Sequence, residues 1–271
     1  MPRVAQSGSR RALCVGINLY PLGGGASNLK GCVNDANAWA NLFVSRFGFS
    51  RENIKLLQDS DATRKNILGA LRDMIARSKS GDLIVFQNSS HGSYVTDTTG
   101  DEETYDEILC PYDIKDNHIL DDELRDIVSG LPRGVRMSVI LDNCFSGTGT
   151  RFAPIPTPDD RRVRFLDPSL RGLPVLRDFA AAKPRSAERY PMSKMRDVLL
   201  TGCSDKEFSY DANIGGAYHG AMSFCAIHAI EQAKGNLTYA ALHKAILAAM
   251  RYPQHPQLEG AKENLETLIF R

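Results

Sequence analysis

No CxxC pair occurs in the 271 residues, and the six cysteines, Cys14, Cys32, Cys110, Cys144, Cys203 and Cys225, stand far apart. That spacing excludes a structural zinc knot and a compact disulfide framework, and it fits a reducing compartment. A long apolar run is also missing. The longest stretch free of charge, Ala212 to Ile230, contains two successive glycines, Asn213, His219, Ser223 and His228, too polar for a membrane span. The opening MPRVAQSGSRRALCVGI has basic residues but no sustained apolar segment before a small-residue cleavage site. No secretory signal is read there, and the expected location is the cytoplasm. Lys and Arg number 33 against 32 Asp and Glu, a net charge of +1. Nothing in that balance calls for nucleic acid or an anionic membrane as a partner. Neither GxGxxG nor GK[ST] is present, so the LGGGAS stretch beginning at Leu22 makes a poor phosphate loop. Internal repeats and low-complexity tracts are absent as well.

What is present reads as strands alternating with helices. Residues 11–17, 53–57, 82–86, 136–141 and 197–202 are short apolar runs rich in β-branched residues and without clean alternation, as suits strands buried on both faces. Between them, Ala36, Ala40, Phe43 and Phe47 repeat at helical spacing and stop at Gly48. Ile67, Leu68, Leu71, Met74 and Ile75 do the same after a cap at Asp61 or Thr63. Further helices are expected from Asp121 or Asp122 to about Ser129, over 220–234 and over 238–252, and a last strand over 265–270. The alternation predicts an α/β fold around a mostly parallel sheet. Residues 151–196 differ: seven of the thirteen prolines fall there, and eleven Lys and Arg face five Asp and Glu. They read as a linker between a larger part, 1–150, and a smaller part, 197–271, that completes the same sheet.

Two strand ends carry the chemistry. VILDNCFSGTG (139–149) runs an apolar strand into Asp142, Cys144 and a small-residue turn, and DLIVFQNSSHGSYV (82–95) delivers His91 in the same way. Ligands gather at the carboxyl ends of strands in such sheets. A cysteine thiolate beside an imidazole attacks carbonyls, and the imidazole then protonates the leaving amine. Cys144 and His91 are therefore read as a catalytic dyad, with the backbone N–H groups of Gly92 and Cys144 as the oxyanion donors. Asp142 lies two residues before Cys144, on the same face of an extended strand, and places negative charge near the scissile bond. A cationic substrate residue is expected.

These pieces resemble the caspase-like cysteine peptidases, specifically the metacaspases and their prokaryotic relatives, the orthocaspases. The resemblance rests on SSHGSYV and LDNCFSGT, in the right order and spacing. ALCVGINLY, LKGCVNDA, YDEILCPYD, ILDDEL and LLTGCSDKEFSYDA accompany them. It implies a caspase/hemoglobinase-like three-layer sandwich and a cysteine endopeptidase. It adds Cys32, Asp35 and Ser89 to Asp142 in an acidic pocket, hence cleavage of protein or peptide substrates after Arg or Lys, and it implies self-processing in the basic linker. The chain departs from the family pattern at Ser90 and Phe145, which alter the surroundings of the two reactive groups without removing either. For calcium, the resemblance points to Asp106, Asp121 and Asp122. Arg151 stands where a fourth acid is expected, so no cofactor requirement is anticipated. The alternative function is a catalytically weak scaffold that binds protein partners.

Overall fold

The computed structural model describes residues 8–22, 25, 27–96, 104–144, 161–172, 183–184, 195–204 and 207–271. The small-residue turn after Cys144, Arg151 and most of the basic linker lie outside the described residues. The described strands are β1 (Arg10–Gly16), β2 (Ile54–Gln58), β3 (Leu83–Ser89), β4 (Gly92–Thr96), β5 (Thr104–Leu109), β6 (Ile119–Leu120), β7 (Arg136–Asp142), β8 (Arg162–Val163), β9 (Lys183–Pro184), β10 (Asp197–Thr201), β11 (Tyr210–Ile214), β12 (Ala217–Gly220) and β13 (Gln257–Glu259). The helices are α1 (Cys32–Phe47), α2 (Arg64–Ala76), α3 (Asp121–Ser129), α4 (Ala221–Gln232), α5 (Tyr239–Ala249) and α6 (Lys262–Leu265).

Six strands form the central sheet in the order β13-β10-β7-β3-β1-β2, parallel except for β13. Its inner strands are apolar on both faces because both are covered. Leu13, Val15, Ile84, Phe86, Met137, Val139 and Leu141 pack with Ile67, Leu68 and Leu71 of α2 and Leu124 and Val128 of α3. The alternate residues Ala12, Cys14, Leu83, Val85 and Ile140 pack with Trp39 and Phe43 of α1, Met222 and Ala226 of α4 and Leu242 of α5. Helix, sheet and helix make a three-layer sandwich. Burial of the two faces is what holds it, since each buried Leu, Ile, Val or Phe contributes about 1.5–3 kcal/mol.

Local signals set the element ends. Gly48 closes α1 with φ +67°, a left-handed conformation that costs glycine nothing. Of the two caps considered for α2, the structure uses Thr63, whose hydroxyl accepts from Asn66 N. The expected strand over 265–270 is not one. Residues Lys262–Leu265 are helical, and the edge of β10 is taken by Gln257–Glu259, antiparallel. Phe270 instead meets Trp39, Phe43, Phe47 and Tyr239 edge-on at 5.0–6.2 Å, so the apolar end of the chain plugs the α1 face rather than extending the sheet. No helix among the described residues is long and apolar enough to cross a membrane.

The pairing of β3 with β7 positions the chemistry. Ser89 and Asp142 are direct neighbours at the carboxyl ends of these strands, and His91 and Cys144 each follow two residues later. Beyond this edge lie two small sheets, β4-β5-β6 with β9 against β5, and β12-β11-β8. The second contains part of the basic segment: β8 runs antiparallel to β11, Val163 opposite Tyr210 and Arg162 opposite Asp211.

Candidate active site

His91 leaves β3 on a turn that its neighbours lock. Its N–H donates to the Tyr20 hydroxyl at 3.0 Å, that hydroxyl donates to Cys110 O at 3.1 Å, and the Tyr20 and His91 rings are 5.0 Å apart. His91 Nε2 lies 2.7 Å from the Ser27 carbonyl. A carbonyl can only accept, so Nε2 carries the proton and Nδ1 is the basic nitrogen. Nδ1 is buried and has no hydrogen-bond partner among the described residues. Burial pulls the imidazole pKa down to about 4, although the Ser27 and Arg164 carbonyls act to raise it. Ser90, one of the two departures from the family pattern, turns back on its own strand. Its hydroxyl accepts from Asn88 Nδ2 at 2.8 Å and donates to His91 O at 3.0 Å.

Cys144 follows β7 and is buried. Its thiol donates to the Glu207 carbonyl at 3.0 Å, and the thiol of Cys203 reaches the same carbonyl at 3.3 Å. Cys203 is buried against the Cys144 thiol, and its contact with that thiol heads the causes that hold its own pKa well above a free cysteine's. Glu207 is kept in place by Ser204 and by His255, whose N–H and ring nitrogen both meet its carboxylate.

Arg164, in the stretch read as linker, occupies the cleft. Its carbonyl accepts from Gly92 N at 2.9 Å and from Cys144 N at 3.3 Å, the two N–H groups singled out as oxyanion donors. Its N–H donates to Ser209 O at 2.9 Å, and past it Leu166 N donates to Gly92 O at 2.9 Å. The chain is therefore pinned on both sides of the Arg164–Phe165 bond, with Phe165 stacked on Tyr94 at 5.9 Å.

The Arg164 side chain is fully buried among carboxylates. Nη2 meets Asp35 at 2.7 Å and Asp211 at 3.1 Å, and Nη1 meets the Asp142 carbonyl at 2.9 Å and its carboxylate at 3.4 Å. Such charges survive burial only when paired and hydrogen-bonded. The acids accordingly have further donors: Gly220 N for Asp35, Ser209 Oγ and Ser223 N for Asp142, and Lys30 N and Gly31 N for Asp211. Burial pushes the Asp35 carboxyl up from its ordinary value, against the pull of Arg164.

Of the four pocket residues expected, Asp35 and Asp142 thus touch the guanidinium. Cys32 is buried beside it, its thiol pushed well up by burial. Ser89 is buried too, but its hydroxyl is engaged by Gln87 Nε2 at 2.9 Å. Asp211 and Arg164 itself were missed. Asp211 sits in SYDA, a motif noted without a role, and its signal is an acid on a strand that pairs with the basic segment. Asp106 lies on β5, and Asp121 and Asp122 open α3, where acids are stabilised by the helix dipole. No three His, Cys, Asp or Glu side chains among the described residues form a group that could hold a metal ion.

The family model "Metacaspase, peptidase C14 domain" matches residues 10–152. The chain is 30% identical to Metacaspase-1 of Debaryomyces hansenii over 93% of its own length and 64% of that protein's. It is 32% identical to Metacaspase-1A of Aspergillus fumigatus, over 93% and 68%. The chain thus spans about two thirds of the length of these curated relatives. Among solved structures, a Geobacter sulfurreducens protein superposes with a TM-score of 0.75 at 26% identity, covering 97% of this chain and 98% of that one. Caspase-1 of Spodoptera frugiperda superposes at 0.55 with 10% identity, covering 94% and 87%, a likeness of fold alone.

Proposed function

Because the chain belongs to the metacaspase family, cysteine peptidases of the caspase clan, we propose that it hydrolyses peptide bonds after arginine, and less readily after lysine. Cys144 is the nucleophile and His91 the proton carrier, and the Arg164–Phe165 bond is its first substrate. The observation that carries this reading is the posture of Arg164: its cation among three carboxylates and its carbonyl under two N–H donors.

The steps follow from that posture. His91 Nδ1 takes the Cys144 proton once the thiol leaves the Glu207 carbonyl, and the sulfur attacks the arginine carbonyl carbon. The oxygen that becomes an anion already faces Gly92 N and Cys144 N, so its charge is met without reorganisation. As the C–N bond breaks, His91 gives its proton to the leaving amine. Water, deprotonated at the same nitrogen, then cleaves the thioester and frees the carboxylate. Arginine outranks lysine because the two ends of a guanidinium reach three carboxylates at once, and a single ammonium does not. An intact linker in the cleft also excludes other substrates, so the uncut chain is latent.

These steps draw on no metal, and with Arg151 in place of a fourth acid the activity is expected to survive a chelator; loss that calcium reverses would overturn this. The central test is mass spectrometry of wild type and Cys144→Ala with peptides ending in Arg, Lys or Asp. The expected result is a cut between Arg164 and Phe165 and cleavage in the order Arg, Lys, Asp, all absent from the variant. Preference for Asp, or undiminished cleavage by Cys144→Ala, would remove the reading.

A further inference from the structure

Three residues before Arg164 the same segment carries a second arginine that the steps above do not use. The Arg161 guanidinium carbon stands 5.5 Å from the ring centre of Tyr210 and 5.6 Å from that of Tyr252. The two rings are 6.1 Å apart and inclined by 30°, and the guanidinium stands over both, so they make one aromatic platform beneath it. Strand geometry explains why Arg161 reaches it. In the β8–β11 pairing, Arg162 and Arg164 lie on one face with Asp211, and Arg161 and Val163 on the other with Tyr210.

The platform is built from elements that the segment does not supply. Tyr210 opens β11, and Tyr252 lies beyond α5. Buried Gln254 ties the two regions together, accepting from Tyr210 N at 3.1 Å and donating to Gly202 O at 2.8 Å. Ring faces attract cations through their quadrupole, and a flat guanidinium can lie against two of them.

We infer that Tyr210 and Tyr252 form a second substrate subsite, which takes an arginine three residues before the arginine at the cleaved bond. Preferred substrates then carry Arg-x-x-Arg. This rests on the reading that Arg164 lies in the site as a substrate does.

The test compares kcat/KM for fluorogenic peptides Arg-Arg-Val-Arg, Ala-Arg-Val-Arg and citrulline-Arg-Val-Arg on the full chain after it has cut itself at the Arg164–Phe165 bond. Citrulline keeps the shape of arginine without its charge. Replacing the first arginine by either residue is expected to lower kcat/KM about tenfold in the wild type, and in Tyr252→Phe as well. In Tyr252→Ala the three peptides should converge. Citrulline performing as well as arginine overturns the subsite, as does a preference that survives Tyr252→Ala. Because the peptide comparison is made on wild type, a variant that fails to fold leaves it decisive. If all three peptides are cut equally, the subsite falls and arginine-directed cleavage stands; if none is cut, both fall.

Discussion

At Arg164 a single side chain answers three carboxylates, and the consequences are open to measurement one residue at a time. Asp211 has as its donors the guanidinium and the backbone N–H groups of Lys30 and Gly31. Asp211→Asn removes a charge-assisted contact, so kcat/KM for arginine peptides should fall about tenfold to a hundredfold, with a smaller loss for lysine. Equal losses on both would show that Asp211 only shapes the loop. His91 gives a pH prediction. An unfolded chain protonates it below its ordinary 6.5, whereas the folded site resists until about 4. Below 6.5 the unfolded state therefore binds more protons. The stability is complete above that pH and declines as pH falls toward 4. Thermal unfolding of Cys144→Ala should show this decline, and Cys144→Ala/His91→Gln should lose less, by about 1–3 kcal/mol at pH 4.5. Parallel curves would mean that another group is responsible.

Elements matter here mainly through where they end. β3 and β7 stop side by side, so the two reactive residues emerge together; β12 stops at Gly220, which donates its N–H to both oxygens of Asp35 before α4 begins. A Cβ on Gly220 would collide with the Asp142 carboxylate and the Arg164 guanidinium. Gly220→Ala should therefore raise KM for arginine peptides roughly tenfold or more, while leaving the helices intact by circular dichroism. An unchanged KM would place the arginine side chain elsewhere. The same element view explains an error. The end of the chain has the residues of a strand, but β13 already occupies the sheet edge, and Ile269 and Phe270 gain more by filling the α1 face.

For the whole molecule, the basic segment adds a tie between the two parts of the chain to the β7–β10 pairing. Arg164 binds Asp35 on α1, Asp142 on β7 and Asp211 on β11, and Arg162 donates to the Asn28 carbonyl. In a Cys144→Ala background, Arg164→Ala leaves three buried carboxylates without their cation. Breaking a buried pair costs about 3–5 kcal/mol, so the melting temperature should drop by about 5–10 °C. A drop no larger than that of Arg171→Ala would mean that the segment binds loosely. With Cys144 intact, Arg164→Lys should slow the appearance of the cut chain at least tenfold, and Arg164→Ala should abolish that cut. A cut that persists in Arg164→Ala would point to another bond.

The buried parallel strands and the amphipathic helices were legible in the sequence, because the period of the apolar residues is set by local backbone geometry. The presentation of His91 and Cys144 at strand ends was legible too, because a strand that runs into small and polar residues must deliver them at its edge. Asp142 could be placed beside the cysteine by strand alternation alone. Asp211, Cys203 and the Tyr210–Tyr252 pair could not, since each comes from the smaller part of the chain and meets the site only through pairings between distant segments. The seating of Arg164 depended on tertiary structure most of all. Eleven basic residues scattered through a proline-rich linker read as candidate cleavage points without marking which one is seated, and only the convergence of three carboxylates from three elements makes burying one of those cations favourable.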